Sequence, residues 1–212
     1  KSIAKYVLKQ YPESTKKAKE LSHQIREAKI KDIYTDDKQR EKVIKWILNY
    51  IKEYKKGNFG KGLYLHGNFG CGKTYLLAAM FNELAKENVR SVITYWPEYL
   101  RSLKSSYSSS SSYEFKDKYN EVKYAKLLLI DDLGAEGVTS WSRDEILGTI
   151  LQYRMQEHLP TFITSNLNLK ELEEHLSVST TNKSERVKAV RIIERIKQLT
   201  IDAEMIGQNN RK

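Results

Sequence analysis

The chain has 212 residues, 40% of them hydrophobic, which is enough for one sizeable α/β core with at most a small appendage. No apolar run approaches the roughly 18 residues that cross a membrane, and no signal peptide opens the chain, so we expect a cytoplasmic protein without a membrane partner. Its single cysteine, Cys71, excludes an internal disulfide and any cysteine-based structural zinc site.

The net charge of +10 is unevenly distributed along the chain. Residues 1–61 hold 17 Lys and Arg against 8 Asp and Glu, a balance of +9. A basic arm of this kind attracts nucleic acid or an acidic partner, although many basic helices are simply solvated. We therefore predict a basic helical arm or linker, ending in the first core helix, over residues 1–58 and a nucleotide-binding domain over residues 59–212.

The first predicted elements are helical. Residues 11–30 form a charged helix or extended arm, and residues 31–57 contain an amphipathic helix that Asp36 or Asp37 can cap. Its predicted apolar stripe consists of Val43, Trp46, Ile47, Tyr50, Ile51 and Tyr54. The glycines of KKGNFGKG then end the helix before the short apolar strand GLYLH.

A phosphate-binding pattern, G-x-x-x-x-G-K-T, occupies residues 67–74 as GNFGCGKT. Its glycines let successive backbone N–H groups point at phosphate oxygens, Lys73 neutralises the terminal phosphates, and the Thr74 hydroxyl is a ligand for Mg²⁺. The strand before the loop and the helix after it, TYLLAAMFNELAKE, are the neighbours that this loop requires. The predicted cofactors are ATP or ADP with Mg²⁺. The predicted nucleotide-binding residues are Gly67, Asn68, Phe69, Gly70, Cys71, Gly72, Lys73, Thr74 and Tyr75.

Cys71 lies inside this loop and admits two interpretations. It could confer redox control, but we favour a small residue that is tolerated where the loop packs.

The segment after the phosphate-loop helix is predicted to contain the strand VRSVITYW and the short helix PEYLRSLKSS. Residues 105–113, which comprise seven serines and two tyrosines, can bury little and are predicted to be a mobile surface loop.

Acidic side chains end the next predicted strand, LLLIDD. Asp131 is suited to hold Mg²⁺ and Asp132 to orient the attacking water. A later strand, FITSN, ends in Asn166, which would lie beside the terminal phosphate if its strand were inserted between the other two. A helix cap or turn is the alternative role for Asn166.

The remaining segments are predicted to be helical except for a last short strand and turn in TIDAEMIGQNNRK. Helices are expected in WSRDEILGTILQYRMQEH, NLKELEEHL and residues 184–199. Val187, Val190, Ile193 and Ile196 are predicted to form one face of the last helix, with Lys188, Arg191 and Arg195 on another. Strands that alternate with helices predict an α/β fold with a parallel sheet flanked by helices.

The ordered set of GNFGCGKT, LLLIDDLGAEGVTSW, FITSN, RIIERI and GQNNR resembles AAA+ ATPases of the initiator and loader branch. It is most similar to the family of bacterial replicative helicase loaders, DnaI with its relatives DnaC and the transposition ATPase IstB, from about Lys31 to the end. The resemblance implies a P-loop AAA+ core. It also implies that Asn166 is the first sensor, that Arg191 is the arginine finger with Arg195 beside it, and that Arg211 is the second sensor.

This resemblance implies an ATPase that helps to place a DnaB-type replicative ring helicase on single-stranded DNA and that self-associates through its ATP site. Asp132 replaces the usual catalytic glutamate and has a shorter reach, which favours slow, switch-like hydrolysis. The loaders also carry an N-terminal zinc-binding domain that one cysteine cannot build, so we expect the ATPase part and its linker.

Three other functions stay open at this point. A transposition ATPase would share the core but bind duplex DNA and a transposase. A small-molecule kinase would need an arginine-bearing lid within one subunit, and no such segment is evident. A pure interaction module is disfavoured because every catalytic position is filled.

Overall fold

The computed structural model describes residues 27–30, 33, 38–86, 89, 91–108, 112–177 and 183–207. The predicted arm before residue 27, the candidate caps Asp36 and Asp37, and Arg211 lie outside this part of the chain.

Five parallel strands form one sheet in the order β2-β3-β4-β1-β5, so β4 lies between β1 and β3. The strands are β1 (Gly62–His66), β2 (Ser91–Tyr95), β3 (Leu127–Asp131), β4 (Thr161–Ser165) and β5 (Thr200–Glu204). Because parallel strands end at the same edge, the polar residues that follow β1, β3 and β4 are brought together there.

Helices cover both faces of the sheet, which confirms the predicted α/β architecture. They are α1 (Lys38–Lys55), α2 (Lys73–Ala85), α3 (Trp96–Ser108), α4 (Ser112–Lys123), α5 (Thr149–Gln156), α6 (Leu169–Leu176) and α7 (Lys183–Leu199), with a π-helical segment, Trp141–Gly148, leading into α5. Successive strand residues alternate between the two resulting apolar clusters. Leu129 of β3 packs with α1 and α2, whereas Leu128 and Ile130 pack on the opposite face.

Helix α1 is part of the core. Its apolar stripe packs as predicted, and the rings of Trp46 and Tyr50 meet the edge of Phe162 from β4 at centroid distances of 6.2 and 5.1 Å. Such edge-to-face contacts add about 0.5–1.5 kcal/mol each to the burial of the rings. Helix α1 is thereby fixed beside the strands that carry the site.

The serine-rich run 105–113 differs from its prediction as a loop. Residues 105–108 complete α3 and residues 112–113 begin α4, a helix that the sequence analysis missed. Ser106 is buried, because its hydroxyl donates to the carbonyl of Ser102 at 2.9 Å and accepts from the Lys118 ammonium at 2.9 Å. Serine can end or begin a helix when its hydroxyl finds partners of this kind.

The predicted apolar face of α7 is also partly wrong. Ile193 and Ile196 are buried, but Val187 and Val190 are exposed. The face that packs on the core is rotated from the predicted one and consists of Ala189, Ile192, Ile193, Ile196 and Leu199.

None of the helices in the described ranges has both the length and the apolar character required to cross a membrane.

Candidate nucleotide-binding site

The phosphate loop connects β1 to α2, as the sequence predicts. Gly67, Gly70 and Gly72 all have positive φ angles, of 145°, 76° and 91°, which glycine adopts without steric cost. A Cβ atom on Gly67 would lie 1.9 Å from the carbonyl oxygen of Met205, so this position admits only glycine. The loop can therefore turn its backbone N–H groups toward a bound anion.

Lys73 begins α2 and is buried at the base of the loop. Its ammonium donates to the carbonyl oxygens of Gly67 and Asn68 at 2.8 and 2.9 Å and to Oδ1 of Asn166 at 2.9 Å. Burial lowers the pKa of this ammonium from its usual value. A poorly hydrated cation at this place favours an anionic ligand.

Asp131 ends β3 and lies next to Thr74. Its Oδ1 accepts hydrogen bonds from the hydroxyls of Thr74 and Thr164, both at 2.6 Å. The carboxyl is only 2% exposed, and this burial raises its pKa to about 6, although the two hydrogen bonds oppose the shift.

This pair of oxygen donors fits Mg²⁺. The ion prefers oxygen ligands and in nucleotide sites takes one or two protein groups, with the substrate phosphates completing its shell. Thr74 and Asp131 would supply those protein groups, because a buried carboxyl with a raised pKa gains from a nearby cation. No cluster of three metal-binding side chains occurs within the described residues, so the protein alone offers only part of a shell.

Asp132 follows β3 in the left-handed backbone region, with a φ of 60°. Its N–H donates to the Thr164 hydroxyl at 2.9 Å, and its Oδ1 accepts from Nδ2 of Asn166 at 2.9 Å. A non-glycine residue in this conformation costs on the order of 1–3 kcal/mol, and such strain concentrates at functional sites. The end of β3 therefore carries a second carboxylate, that of Asp132, next to that of Asp131.

Thr164 belongs to the site but was not predicted from the sequence. Its hydroxyl bonds both to the Asp131 carboxylate and to the Asp132 N–H, so it fixes the two acids relative to each other. The signal was present in FITSN, because residues two apart on a strand face the same side and Thr164 precedes Asn166 by two.

The segment after β5, residues 205–207, packs against the phosphate loop. Met205 donates from its N–H to the His66 carbonyl at 2.8 Å, and Gly207 exchanges two hydrogen bonds with the Asn68 side chain at 2.7 and 3.0 Å. The buried thiol of Cys71 donates to the Met205 carbonyl at 3.3 Å. This packing supports the structural interpretation of Cys71.

A second missed residue, Arg40 of α1, donates to the carbonyl of Cys71 at 2.8 Å. Its neighbour Gln39 accepts from the N–H of Ile206 at 3.0 Å. The start of α1 therefore contacts both the phosphate loop and the segment that supports it.

The basic residues of α7 are not part of this network. The Lys188 ammonium lies 3.1 Å from Glu185 and 3.3 Å from Asp144. Arg195 is half-buried and donates to the carbonyl of Gly148 at 3.0 Å. Arg191 is exposed and has no hydrogen bond or ion pair with any residue that the structure describes. Of the two candidate arginines, Arg191 is the one available for a contact outside the chain.

The fold and this site define a P-loop nucleotide-binding domain of the AAA+ class. Residues 39–181 match the family described as the bacterial DnaA ATPase domain. The chain is 40% identical over 199 residues to the replicative helicase loader DnaI of Bacillus subtilis (strain 168), a match that covers 94% of this chain and 63% of that protein. These matches, together with the DnaI structure described next, show that the chain belongs to the DnaI family of AAA+ ATPases.

Solved structures agree with this assignment. A crystal structure of DnaI superposes with a TM-score of 0.75 and 46% identity, over 89% of this chain and 93% of that one. A candidate primosome component from Streptococcus pyogenes serotype M3 gives a TM-score of 0.71 and 32% identity, over 88% and 90% of the two chains. The chain nevertheless spans less than two thirds of the length of the B. subtilis relative.

Proposed function

We propose that this chain is the ATPase part of a loader that places a DnaB-type replicative ring helicase on single-stranded DNA. One observation carries the proposal: in a chain 46% identical to DnaI, Lys73 and Asp132 are joined through Asn166 into one partly buried hydrogen-bond network. A purely structural module has no need to keep these groups together. The relatives named above favour a loader over a transposition ATPase.

In this proposal the chain converts ATP to ADP and phosphate. Lys73 binds the terminal phosphates, which offer its ammonium better partners than two backbone carbonyls. Mg²⁺, held by Thr74 and Asp131, would neutralise phosphate charge. Asp132 orients the attacking water, and Asn166 holds that carboxylate in place.

Hydrolysis by such a site is slow, because the short Asp132 side chain must reach the water from a strained backbone position. Slow turnover suits a switch, in which the ATP form assembles and binds DNA and the ADP form releases it.

Self-association would supply a cation to the nucleotide site from a second copy of the chain. Transition-state charge on the transferred phosphoryl group is stabilised by a cation, and Arg191 is exposed on α7 without a partner among the described residues. We infer that Arg191 of one copy completes the site of the next, while Arg195 supports α7 internally. Arg211, which lies outside the described residues, is proposed as the second sensor.

Single-stranded DNA would bind to the assembled form. The excess of positive charge attracts phosphates, and Lys and Arg facing phosphates read charge rather than sequence. A loader of this kind works on the chromosome, so we place the protein in the cytoplasm.

The experiment that tests this proposal compares DNA affinity in two nucleotide states. Fluorescence anisotropy with a labelled oligonucleotide, at fixed ionic strength, should give tighter binding of single-stranded DNA with ATP and Mg²⁺ than with ADP. The Lys73→Ala variant is the matched control and should lose the difference. Equal affinity in ATP and ADP would argue against a loading switch, and a preference for duplex DNA would favour the transposition ATPase.

Loading itself is measured with a purified DnaB-type helicase on a circular single strand. The ATP form should raise the amount of helicase bound to the circle, and an unchanged amount would contradict a loader.

A further inference from the structure

A cleft separate from the phosphate loop lies between α4, α5 and α7. Its volume of about 340 Å³ falls within the range of small-ligand sites. Two cations, Lys123 and Arg195, line it together with three side chains of α5, those of Gln152, Tyr153 and Gln156. None of these residues belongs to the nucleotide site described above.

The ammonium of Lys123 is held over three tyrosine rings. It lies 4.8, 5.4 and 5.6 Å from the ring centroids of Tyr153, Tyr124 and Tyr119. Within the described ranges it forms no hydrogen bond and no ion pair. Tyrosine faces attract a cation but do not neutralise its charge. An anion that enters the cleft would therefore meet a charge that the described residues leave unpaired.

Arg195 is the second cation of the cleft. A guanidinium has five N–H donors, and among the described residues Arg195 uses only Nη1, which bonds to a backbone carbonyl of the π-helical segment at 3.0 Å. Burial is the main cause that lowers its pKa, so an anion beside it would be favourable. The acid that lines the cleft, Asp144, is already paired with Arg143 at 2.6 Å and with Lys188 at 3.3 Å.

The α5 side of the cleft offers groups that suit a nucleobase. Gln152 and Gln156 are one turn apart, and their amides form no hydrogen bond with any residue that the structure describes. Each amide can both donate and accept, as the edge of an unpaired base requires. Tyr153 adds an aromatic surface against which a base packs.

We propose that this cleft binds one nucleotide unit, with its phosphate between Lys123 and Arg195 and its base against Tyr153. The unit can belong to single-stranded DNA or to a free nucleotide, because both present the same phosphate and base. A duplex does not suit the cleft, because its bases are held inside the stack. With a strand as the source, the inference rests on the proposed binding of single-stranded DNA and names one contact of that strand on each copy.

The phosphate contact is tested with labelled oligothymidylate by fluorescence anisotropy, while Mg²⁺ and a slowly hydrolysed ATP analogue fill the phosphate loop. Lys123→Met keeps the stem that packs on the rings and removes the charge. It should weaken binding and reduce the slope of log affinity against log salt by about 0.7, the effect of one phosphate contact in a single strand. Lys86→Met removes a charge that pairs with Glu83 at the end of α2, on the opposite face of the sheet, and should bind like the wild type.

The base contact is tested at Tyr153. Tyr153→Leu should weaken the binding of oligothymidylate about fivefold or more, the effect of one lost stacking contact, whereas Tyr153→Phe keeps the ring and should keep the affinity. An oligonucleotide that carries iodouracil should cross-link under ultraviolet light to a peptide that contains Tyr153.

Competition by free thymidine monophosphate distinguishes the two sources. Displacement of the oligonucleotide at a similar concentration of nucleotide units indicates a site for a free nucleotide, and no displacement indicates a site for a strand. Equal affinity of the Lys123→Met and Lys86→Met proteins for oligothymidylate, or a cross-link that maps to another surface, overturns the cleft but leaves DNA binding standing. A wild-type chain that binds the mononucleotide through Lys123 but no oligonucleotide supports the cleft and overturns the proposed DNA binding. A chain that binds neither probe overturns both.

Discussion

The ammonium of Lys73 donates a 2.9 Å hydrogen bond to Oδ1 of Asn166, a residue 93 positions away in the sequence. The same amide donates from Nδ2 to Asp132 at 2.9 Å, so it links the phosphate-binding cation to the second acid. This arrangement exists because β4 is inserted between β1 and β3. Lys73 and Asp132 are therefore connected through a single side chain.

We predict that Asn166→Ala lowers the ATP hydrolysis rate at least tenfold and changes ATP affinity by less than a few-fold. The amide orients Asp132, which acts on water, whereas the loop and Lys73 supply most of the phosphate binding. Turnover by phosphate release and affinity by anisotropy of a labelled nucleotide are the two measurements.

Asn168→Ala is the matched control, because Asn168 lies outside the site. Its side chain accepts the N–H groups of Lys170 and Glu171 as the cap of α6, so its loss should cost about 1 kcal/mol of folding stability and leave turnover intact. If Asn168→Ala lowered turnover as much as Asn166→Ala, the role of Asn166 would reduce to local structure.

We predict that Lys73→Ala abolishes detectable binding of ATP. The substitution removes a buried cation and its donors from the place where the terminal phosphates bind. Lys86→Ala, at the exposed end of the same helix where the ammonium pairs with Glu83, should bind ATP like the wild type. Nucleotide affinity that is equal in the two variants would contradict the assignment of the phosphate loop.

The main features of the fold follow from the sequence because they depend on local patterns. The phosphate loop has a fixed spacing of glycines before Lys73, and the apolar strand before Asp131 has no solvent-facing position. These patterns predicted the parallel sheet, and they predicted that the loop after β1 and the acids at the end of β3 form the site.

What the sequence could not predict depends on tertiary contacts. The serine-rich run extends α3 and begins α4, and the Ser106 hydroxyl of α3 accepts a hydrogen bond from Lys118 of α4, a contact between helices that the serine pattern does not reveal. The face of α7 that is buried is set by the helices against which it packs, so Val187 was misassigned. Arg40 reaches the loop across 31 residues through a contact to a backbone carbonyl, which leaves no pattern in the sequence.

Thr164 offers a prediction at a residue found only in the structure. Thr164→Val keeps the shape of the buried side chain but removes the hydroxyl that accepts from the Asp132 N–H and one of the two hydrogen bonds to the Asp131 carboxylate, of which the one from Thr74 remains. Unpaired buried polar groups cost about 1–3 kcal/mol, so urea unfolding should show a loss of that size, accompanied by slower hydrolysis. Thr164→Ser keeps the hydroxyl and should retain turnover, and slow turnover in both variants would shift the explanation from the hydrogen bonds to packing.

Asp144 gives a pH-dependent prediction. Its carboxylate pairs with Arg143 at 2.6 Å and with Lys188 at 3.3 Å, and the hydrogen bond from Arg143 is the main cause that lowers its pKa. A lowered carboxyl pKa in the folded protein contributes stability above the pKa of the unfolded chain, and this contribution is lost as the pH falls through the folded value.

Asp144→Asn should therefore lower the free energy of unfolding at pH 7 by roughly 1–3 kcal/mol, a value between those of exposed and buried pairs. The difference from the wild type should shrink below about pH 4, where the carboxyl of an unfolded chain becomes protonated. Urea unfolding at several pH values measures it, and a difference that stays constant down to pH 3 would exclude the ion pairs as its source.

Arg191 and Arg195 are one turn apart on α7 and should respond to substitution in opposite ways. Arg195 bonds to the Gly148 carbonyl, so Arg195→Ala should cost about 1 kcal/mol of stability, the typical contribution of one hydrogen bond. Arg191 has no partner within the described residues, so Arg191→Ala should leave stability and ATP affinity near those of the wild type and abolish hydrolysis. The unfolding free energy and the ATP turnover of each variant should therefore show that Arg195 stabilises the fold and that Arg191 acts in hydrolysis.

Mixing two inactive proteins tests whether Arg191 acts across a subunit boundary. Lys73→Ala protein has an intact Arg191 but cannot bind nucleotide, and Arg191→Ala protein has an intact pocket but lacks the cation. A mixed assembly contains sites in which an intact pocket meets an intact Arg191, so part of the wild-type turnover should return, and the rate should be highest near equal amounts. Lys73→Ala combined in one chain with Arg191→Ala is the control, because mixing it with Arg191→Ala protein supplies no intact Arg191. If the first mixture stays inactive while wild-type protein hydrolyses ATP under the same conditions, Arg191 does not act on a neighbouring site.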